Sequence, residues 1–149
     1  MKNDNFFVMK MERSMINECV DLYMDTFSKE PWFDTYESRN QVVSFFENHL
    51  NNNYFCGYVG VIDSKIAALS IGMKKPWIKG FEYYIDEFCV SYDKQGMGIG
   101  SRFIKEIEKR ICDDGMNAII LNTEREFSSY DFYKKNGFEE INGLAVLAK

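Results

Sequence analysis

The stretch that most constrains this chain is Tyr83-Tyr84-Ile85-Asp86-Glu87-Phe88-Cys89-Val90, followed by Gln95-Gly96-Met97-Gly98-Ile99-Gly100. Its aromatic and β-branched content predicts a buried strand. Glycines then take alternate positions, and an apolar stripe at helical spacing begins with Ile99, Phe103, Ile104, Ile107 and Ile111. Strand, glycine turn and helix in that order make an anion site. The first N–H groups of a helix have no internal partners, and the macrodipole adds partial positive charge there. Glycine lets an anion approach the backbone without a Cβ in the way. The turn reads as a pyrophosphate cradle.

Two common cradles do not fit. A P-loop needs Lys and then Ser or Thr after its last glycine, whereas Gly100 is followed by Ser101-Arg102. A dinucleotide fingerprint needs its third small residue at Ser101, and here the glycine falls one residue early. The spacing of Gln95, Gly98 and Gly100 resembles instead the Gln/Arg-x-x-Gly-x-Gly/Ala signature of the GNAT acetyltransferase superfamily. A second segment, Tyr130-Asp131-Phe132-Tyr133-Lys134-Lys135-Asn136-Gly137-Phe138, resembles that family's aromatic-Tyr-x-Lys-x-Gly-Phe signature. Many members carry Asn and Ala where this chain has Glu126 and Ser129, so a contact made by that Asn does not carry over.

Hydrophobic patterning along the chain agrees with this order. Residues 6–11 predict a strand, and Ser14 is placed to cap a helix with Met15, Cys19, Leu22, Tyr23 and Phe27 inward, stopped by Pro31. A second helix over residues 37–50 turns Val42, Val43, Phe46 and Leu50 inward. Its His49, the chain's single histidine, has no acidic or cysteine neighbour in sequence and is expected to face solvent. Residues 55–62 and 65–73 predict a hairpin about Asp63-Ser64, and residues 74–80 a basic, solvated loop. After the glycine turn and its helix, Ala118-Ile119-Ile120-Leu121 predicts a strand buried on both faces. Ser128 and Asp131 suggest a capping box, and Asn136-Gly137 a helix end. Residues 138–141 and 144–147 about Asn142-Gly143 predict a last hairpin. The expectation is a mixed α/β fold, one domain over residues 1–149, with a twisted sheet of about seven strands and about four helices.

With 149 residues, 46% hydrophobic and 28% charged, the chain can bury a proper core. A net charge of −5 argues against nucleic acid as a partner and suits a cationic substrate. Cys19, Cys56, Cys89 and Cys112 form no C-x-x-C pair, so no metal site is expected and the thiols are read as reduced, in a cytoplasmic protein. Residues 1–4 lead into an apolar run too short for a signal peptide, and no stretch spans a membrane.

The resemblance implies acetyl-CoA as cosubstrate, no metal, and direct transfer of an acetyl group to the primary amine of a small molecule in a ternary complex. It leaves room for a homodimer. Gln95, Gly96, Met97, Gly98, Ile99, Gly100 and Ser101 would hold the pyrophosphate. The backbone of Phe88, Cys89 and Val90 would pair with the pantetheine arm, and an N–H there would face the developing oxyanion. Tyr133 would be the general acid for the leaving thiolate, with Tyr130 lining the same cleft. Without the flanking motif, Tyr133 reads equally as a core tyrosine.

An amine resembling lysine, with pKa ~10.4, must lose a proton before it attacks. Asp86 and Glu87 are adjacent and, in a regular strand, point to opposite faces. Asp86 is the favoured acceptor-side acid, because a similar acid serves in aminoglycoside-acetylating relatives. Glu87 is expected to pair with a lysine or arginine. Trp32, Phe33 and Tyr84 join these two as the acceptor wall, though Trp32 alone also reads as a core plug. A non-catalytic acyl-CoA-binding module of the same fold is the alternative reading.

Overall fold

Alternation of apolar residues draws the strands into one mixed sheet in this computed structural model, which describes residues 5–149. Residues 1–4, where the lead into a signal peptide was judged too short, lie outside the described residues. The chain runs β1 (Phe7–Lys10), α1 (Ile16–Phe27), α2 (Arg39–Leu50), β2 (Phe55–Ile62), β3 (Lys65–Trp77), β4 (Gly80–Val90), α3 (Ile99–Asp113), β5 (Met116–Leu121) and α4 (Ser128–Lys135). Strand order follows chain order from β1 to β5. All neighbours are antiparallel except β4 and β5, which are parallel because α3 carries the chain back between them. The mixed α/β class and the four helices are as expected from the sequence.

Two cores lie on the two faces of the sheet. Phe103, Ile104, Ile107 and Ile111 of α3 pack with Tyr58, Tyr83 and Ile85 on one face. Cys19 and Val20 of α1 and Val42 and Phe46 of α2 pack with Val59, Leu69, Ile71 and Cys89 on the other. The α3 stripe is the one the 3.6-residue period predicts, whereas in α1 Ile16 and Val20 join Cys19, Leu22 and Phe27 in the core and Met15 and Tyr23 are half-buried.

Capping differs from expectation. Ser14 lies inside a short 3-10 turn, Arg13–Met15, and caps nothing. Ser128 is already helical, and Phe127 precedes α4 without a side-chain cap. Ser38 does cap α2, accepting from the Gln41 N–H at 3.2 Å.

Three further expectations are corrected. The basic segment 74–80 is no loop: β3 and β4 stay paired out to Trp77↔Gly80, so the hairpin turns at Ile78-Lys79. The last two strands do not form, so among the described residues the sheet has five strands rather than about seven. Asn142-Gly143 does turn, with Gly143 at φ 92, but its arms stay unpaired and largely exposed. Arg125 and the Tyr130 hydroxyl bind Glu140 at 2.8 and 3.2 Å, which ties the segment to the α4 side instead of to β5. As the outermost strand, β5 is then not buried on both faces: Asn117 and Ala118 are exposed and Ile119 to Leu121 half-buried.

The carboxyl end of α3 is anchored beneath β2 and β3. The Tyr58 hydroxyl, fully buried, donates to Asp114 at 2.7 Å, and Lys10 pairs with the same carboxylate at 3.1 Å. Lys74 donates to the Asp114 carbonyl at 2.7 Å, so it is not merely solvated. Burial alone would raise the Asp114 pKa, but the Tyr58 and Lys10 hydrogen bonds and the two ammonium charges hold it below the ordinary carboxylate value. A group depressed in the folded state stabilises above its unfolded pKa, and that stability is lost as pH falls through the folded value. Asp114→Asn should therefore destabilise by about 1–2 kcal/mol near pH 7. In urea melts the gap between variant and parent should close as the pH drops below about 4.

Candidate functional site

The site begins with a single extra residue. Ile71 pairs with Glu87, but the next residue, Gly72, pairs with Ile85, so Asp86 is bulged out of β4. Gly72 makes this close approach feasible: a Cβ there would lie 1.8 Å from the Tyr84 carbonyl oxygen. A bulge breaks the period of two. Tyr83 and Ile85 before it, and Phe88 and Val90 after it, pack on the α3 face. Asp86 and Glu87 therefore share the α1/α2 face, instead of pointing to opposite faces as a regular strand predicts.

Beyond the bulge, β4 and β5 part. Their last pair is Ile85↔Leu121, and Asp86 to Val90 have no partner on β5. At the far end of this opening lies the glycine turn. The Gln95 side-chain amide donates to the Val90 carbonyl at 3.0 Å and fixes the turn to the strand. Gly96 and Gly98 sit at φ 79 and 80, in the left-handed region, and a Cβ on either would meet nothing within 4 Å. Gly98 caps α3 without any side-chain bond, so the first-turn amides of Ile99, Gly100 and Ser101 have no partner within the helix or from its cap. This suits an anionic group. Gly100 has another role: its added Cβ would lie 3.0 Å from the Phe132 ring, so it permits close packing of α3 on α4.

Several predicted contact residues offer only their backbone here. Ile99 is core, Met97 is exposed, and Phe88 stacks on Phe103 at 5.4 Å and approaches Phe132 and Tyr133 at 5.8 and 6.0 Å. The Cys89 thiol is buried and pushed well up by desolvation, then by the Glu87 charge, which makes it a poor nucleophile.

Tyr133 comes to the opening from α4, on the α3 side. It is 9% exposed, set against Phe88 and Phe138, and among the described residues no side chain hydrogen-bonds its hydroxyl. Burial, and then the charges of Cys89 and Glu87, push its pKa up. Tyr130 lines the groove of about 550 Å³ that also borders Tyr133, but its hydroxyl is committed to Glu140.

The opposite face carries the acids. Burial first, and then the Asp86 charge, raise the Glu87 pKa to about 7, while His49 and a Tyr23 hydrogen bond pull the other way. Among the described residues no lysine or arginine figures among the groups that shift it, so the expected ion pair is not found there. His49 does not face solvent freely: its Nε2 lies 2.7 Å from Asp86 Oδ2 and its Nδ1 2.9 Å from the Phe45 carbonyl. Trp32 packs on Phe27 at 4.8 Å and meets Phe127 edge-on at 6.4 Å, so it serves both the core and the rim. Phe33 is exposed at φ 48, and the Tyr84 hydroxyl accepts from Asn122 at 2.8 Å.

Gly72, Tyr23, His49 and Phe127 are the residues sequence reasoning missed. A glycine inside an apolar strand is a recognised sign of a bulge or close approach, so Gly72 was within reach. His49 was not, because its partner lies 37 positions away. Among the described residues no group of three or more His, Cys, Asp or Glu could hold a metal, and no helix is long and apolar enough to cross a membrane.

Residues 16–138 match the family described as Acetyltransferase (GNAT) family. No curated protein matches the chain in sequence. Among solved structures, the fold resembles the aminoglycoside N-acetyltransferase AAC(6')-Iy in complex with CoA (TM-score 0.76, 12% identity, 99% of this chain and 97% of that one). An integron cassette protein from the mobile metagenome of V. cholerae gives TM-score 0.77 at 14% identity, over 99% of this chain and 93% of that one. A GNAT family acetyltransferase of Staphylococcus aureus gives TM-score 0.71 at 17% identity, over 97% of each chain.

The bulge can be tested alone. Gly72→Ala should destabilise by about 3 kcal/mol or more, because backbone rather than a flexible side chain must move. Denaturation of Gly72→Ala beside Gly96→Ala measures this, and near-parental stability for the former would detach the bulge from Gly72.

Proposed function

Because the chain belongs to the GNAT acetyltransferase family, we propose that it transfers the acetyl group of acetyl-CoA directly to a primary amine of a small, cationic molecule. One observation supports the reading: Tyr133 packs on Phe88 from the α3 side, and Glu87, the preceding residue of β4 on the other face, is near enough for its charge to raise the phenol. The opening suits acetyl-CoA, since unpaired amides and glycines open to solvent stand at one end and unpaired strand backbone runs along it. Acetyl-CoA supplies an acyl group already activated as a thioester.

This chain's own residues do the rest. The amides of Ile99, Gly100 and Ser101 hold the pyrophosphate, and the β4 backbone after Asp86 orients the arm. On the α1/α2 face, Glu87 and the nearby charge of Asp34 draw an ammonium group in, with Trp32 and Phe127 at the rim. Glu87, rather than Asp86, takes the amine proton. Its burial brings its affinity for a proton nearer to that of the amine, and Asp86 is already engaged with His49. On the α3 face Tyr133 gives its proton to the leaving sulfur. The same desolvation that raises the phenol acts on a thiolate formed beside it, so the two stay matched.

The test is a panel of small amines assayed for release of free CoA thiol. Turnover with at least one amine is expected, and cofactor binding without turnover on any amine would leave only an acyl-CoA-binding module. With an accepted amine, Tyr133→Phe should lower turnover by about 10²–10⁴ with little change in acetyl-CoA affinity or melting temperature. Full activity in that variant would remove Tyr133 from the proton path.

Glu87→Gln should lose turnover comparably and gain stability at pH 8. The sign follows from a folded-state pKa raised above its unfolded value. The native state binds the extra proton, so stability falls as pH climbs from about 4.5 to about 7 and the full penalty applies above that. Melting temperatures at pH 5 and pH 8 should show the variant's advantage only at the higher pH.

A further inference from the structure

The single histidine is held by two oxygens. Its Nδ1 faces the Phe45 carbonyl at 2.9 Å and its Nε2 faces Asp86 Oδ2 at 2.7 Å, while its ring lies 4.5 Å from that of Phe45. A carbonyl oxygen only accepts, so Nδ1 must carry a hydrogen. An ionised carboxylate also only accepts, so Nε2 must carry one too. A neutral imidazole has one N–H and would leave one of these contacts oxygen against lone pair. The geometry is that of an imidazolium clamped to a carboxylate, with 18% of the histidine side chain and 47% of the aspartate side chain exposed.

We infer that His49 is a positioning residue of the transfer site: doubly protonated, it ties the bulged Asp86 to α2 and cancels its charge, leaving Glu87 as the group that accepts the amine proton. The clamp matters because Asp86 and Glu87 are neighbours on one face. Left unclamped, two carboxylates so close would repel each other's ionised form. They would also compete for the same ammonium group.

The groups facing Glu87 are few. They are Asp86 and Cys89 from β4, Tyr23 from α1, Asp34 and Tyr36 from the segment after α1, His49 from α2 and Tyr133 from α4. From β3 it is paired with Ile71, which carries no charge. Burial keeps the phenols and the thiol protonated through neutral pH. Among the described residues, Asp34, Asp86 and His49 therefore bring charge to Glu87, and His49 is the cation of the three. Removing either half of the clamp should shift the ionisation of Glu87, and in opposite directions.

The inference rests on the proposed acetyl transfer for its kinetic readout alone. Since no other histidine is present, the ring nitrogens of His49 can be read without ambiguity in 15N-histidine-labelled protein, with no substrate added. At pH 7.5, where a free imidazole is mostly neutral, both nitrogens are expected in the protonated range. In Asp86→Asn one of them should move to the unprotonated range. A neutral ring in the parent protein overturns the clamp.

With an accepted amine, the acid limb of kcat/KM should move up by about one pH unit or more in His49→Gln, where Asp86 is left uncompensated. It should move down, by less, in Asp86→Asn, where the Asp86 charge, the larger of the two on Glu87, is removed together with the imidazolium it holds. A purely structural role would lower activity without displacing the limb, and unmoved limbs or shifts in the same direction overturn the inference. If the parent acetylates no amine, the transfer reading fails and the ring nitrogens alone decide the clamp.

Discussion

The close approach between Gly72 of β3 and the Tyr84 carbonyl of β4, where an added Cβ would lie 1.8 Å from the oxygen, is the contact on which the site depends. Because glycine occupies that point, β4 can take one residue more than β3 and still keep its pairing on both sides. Two consequences follow from that extra residue. Asp86 and Glu87 are brought to one face while Phe88 and Val90 stay in the opposite core, and a bulge increases local twist, which suits the parting of β4 from β5 after Ile85. An opening in the middle of a sheet would normally expose apolar side chains. Here Phe88 is covered by Phe103, Phe132 and Tyr133, so what the opening exposes is mainly backbone.

What was legible in the sequence was local. The glycine turn and the stripe from Ile99 to Ile111 lie within one short stretch, and the structure realises both, as it does the hairpin at Asp63-Ser64, whose two residues sit at φ 49 and 67. Turn chemistry was read correctly even where pairing was not. Asn142-Gly143 turns as expected, but whether its arms join β5 depends on Glu140, which Arg125 and Tyr130 hold on the α4 side. The same limit applies to the site. A strict alternation assigns Asp86 and Glu87 to opposite faces, and only the register against β3 reveals that they share one. His49 looked inert because its partner is remote in sequence and adjacent only through the bulge.

Two adjacent carboxylates on a half-buried face are an electrostatic burden in any fold, and the chain distributes it unevenly. Asp86 is the more exposed, and an imidazolium offsets its charge. Glu87 is left with burial, a phenol and no cation of its own. A lysine beside Glu87 would relieve the burden more fully, and would also keep the carboxylate ionised and a weak base. The arrangement present does the opposite, bringing Glu87 close to its midpoint at neutral pH. Environments so different suit two neighbouring acids to different tasks.

Burial acts on both proton-handling groups of the site in the same direction, yet serves each differently. In the proposed transfer Tyr133 holds its proton until a thiolate forms, and an upward shift leaves it loaded across the whole neutral range. In the same proposal Glu87 is empty when the amine arrives and then fills, so its shift is useful only because it stops near 7. The difference lies in what surrounds them. Tyr133 is set among Phe88, Phe132 and Phe138, with no cation among the groups that shift it, whereas His49 lies near enough to Glu87 to limit its rise. The sheet keeps the two apart, one on each face, and its opening is where their reaches meet.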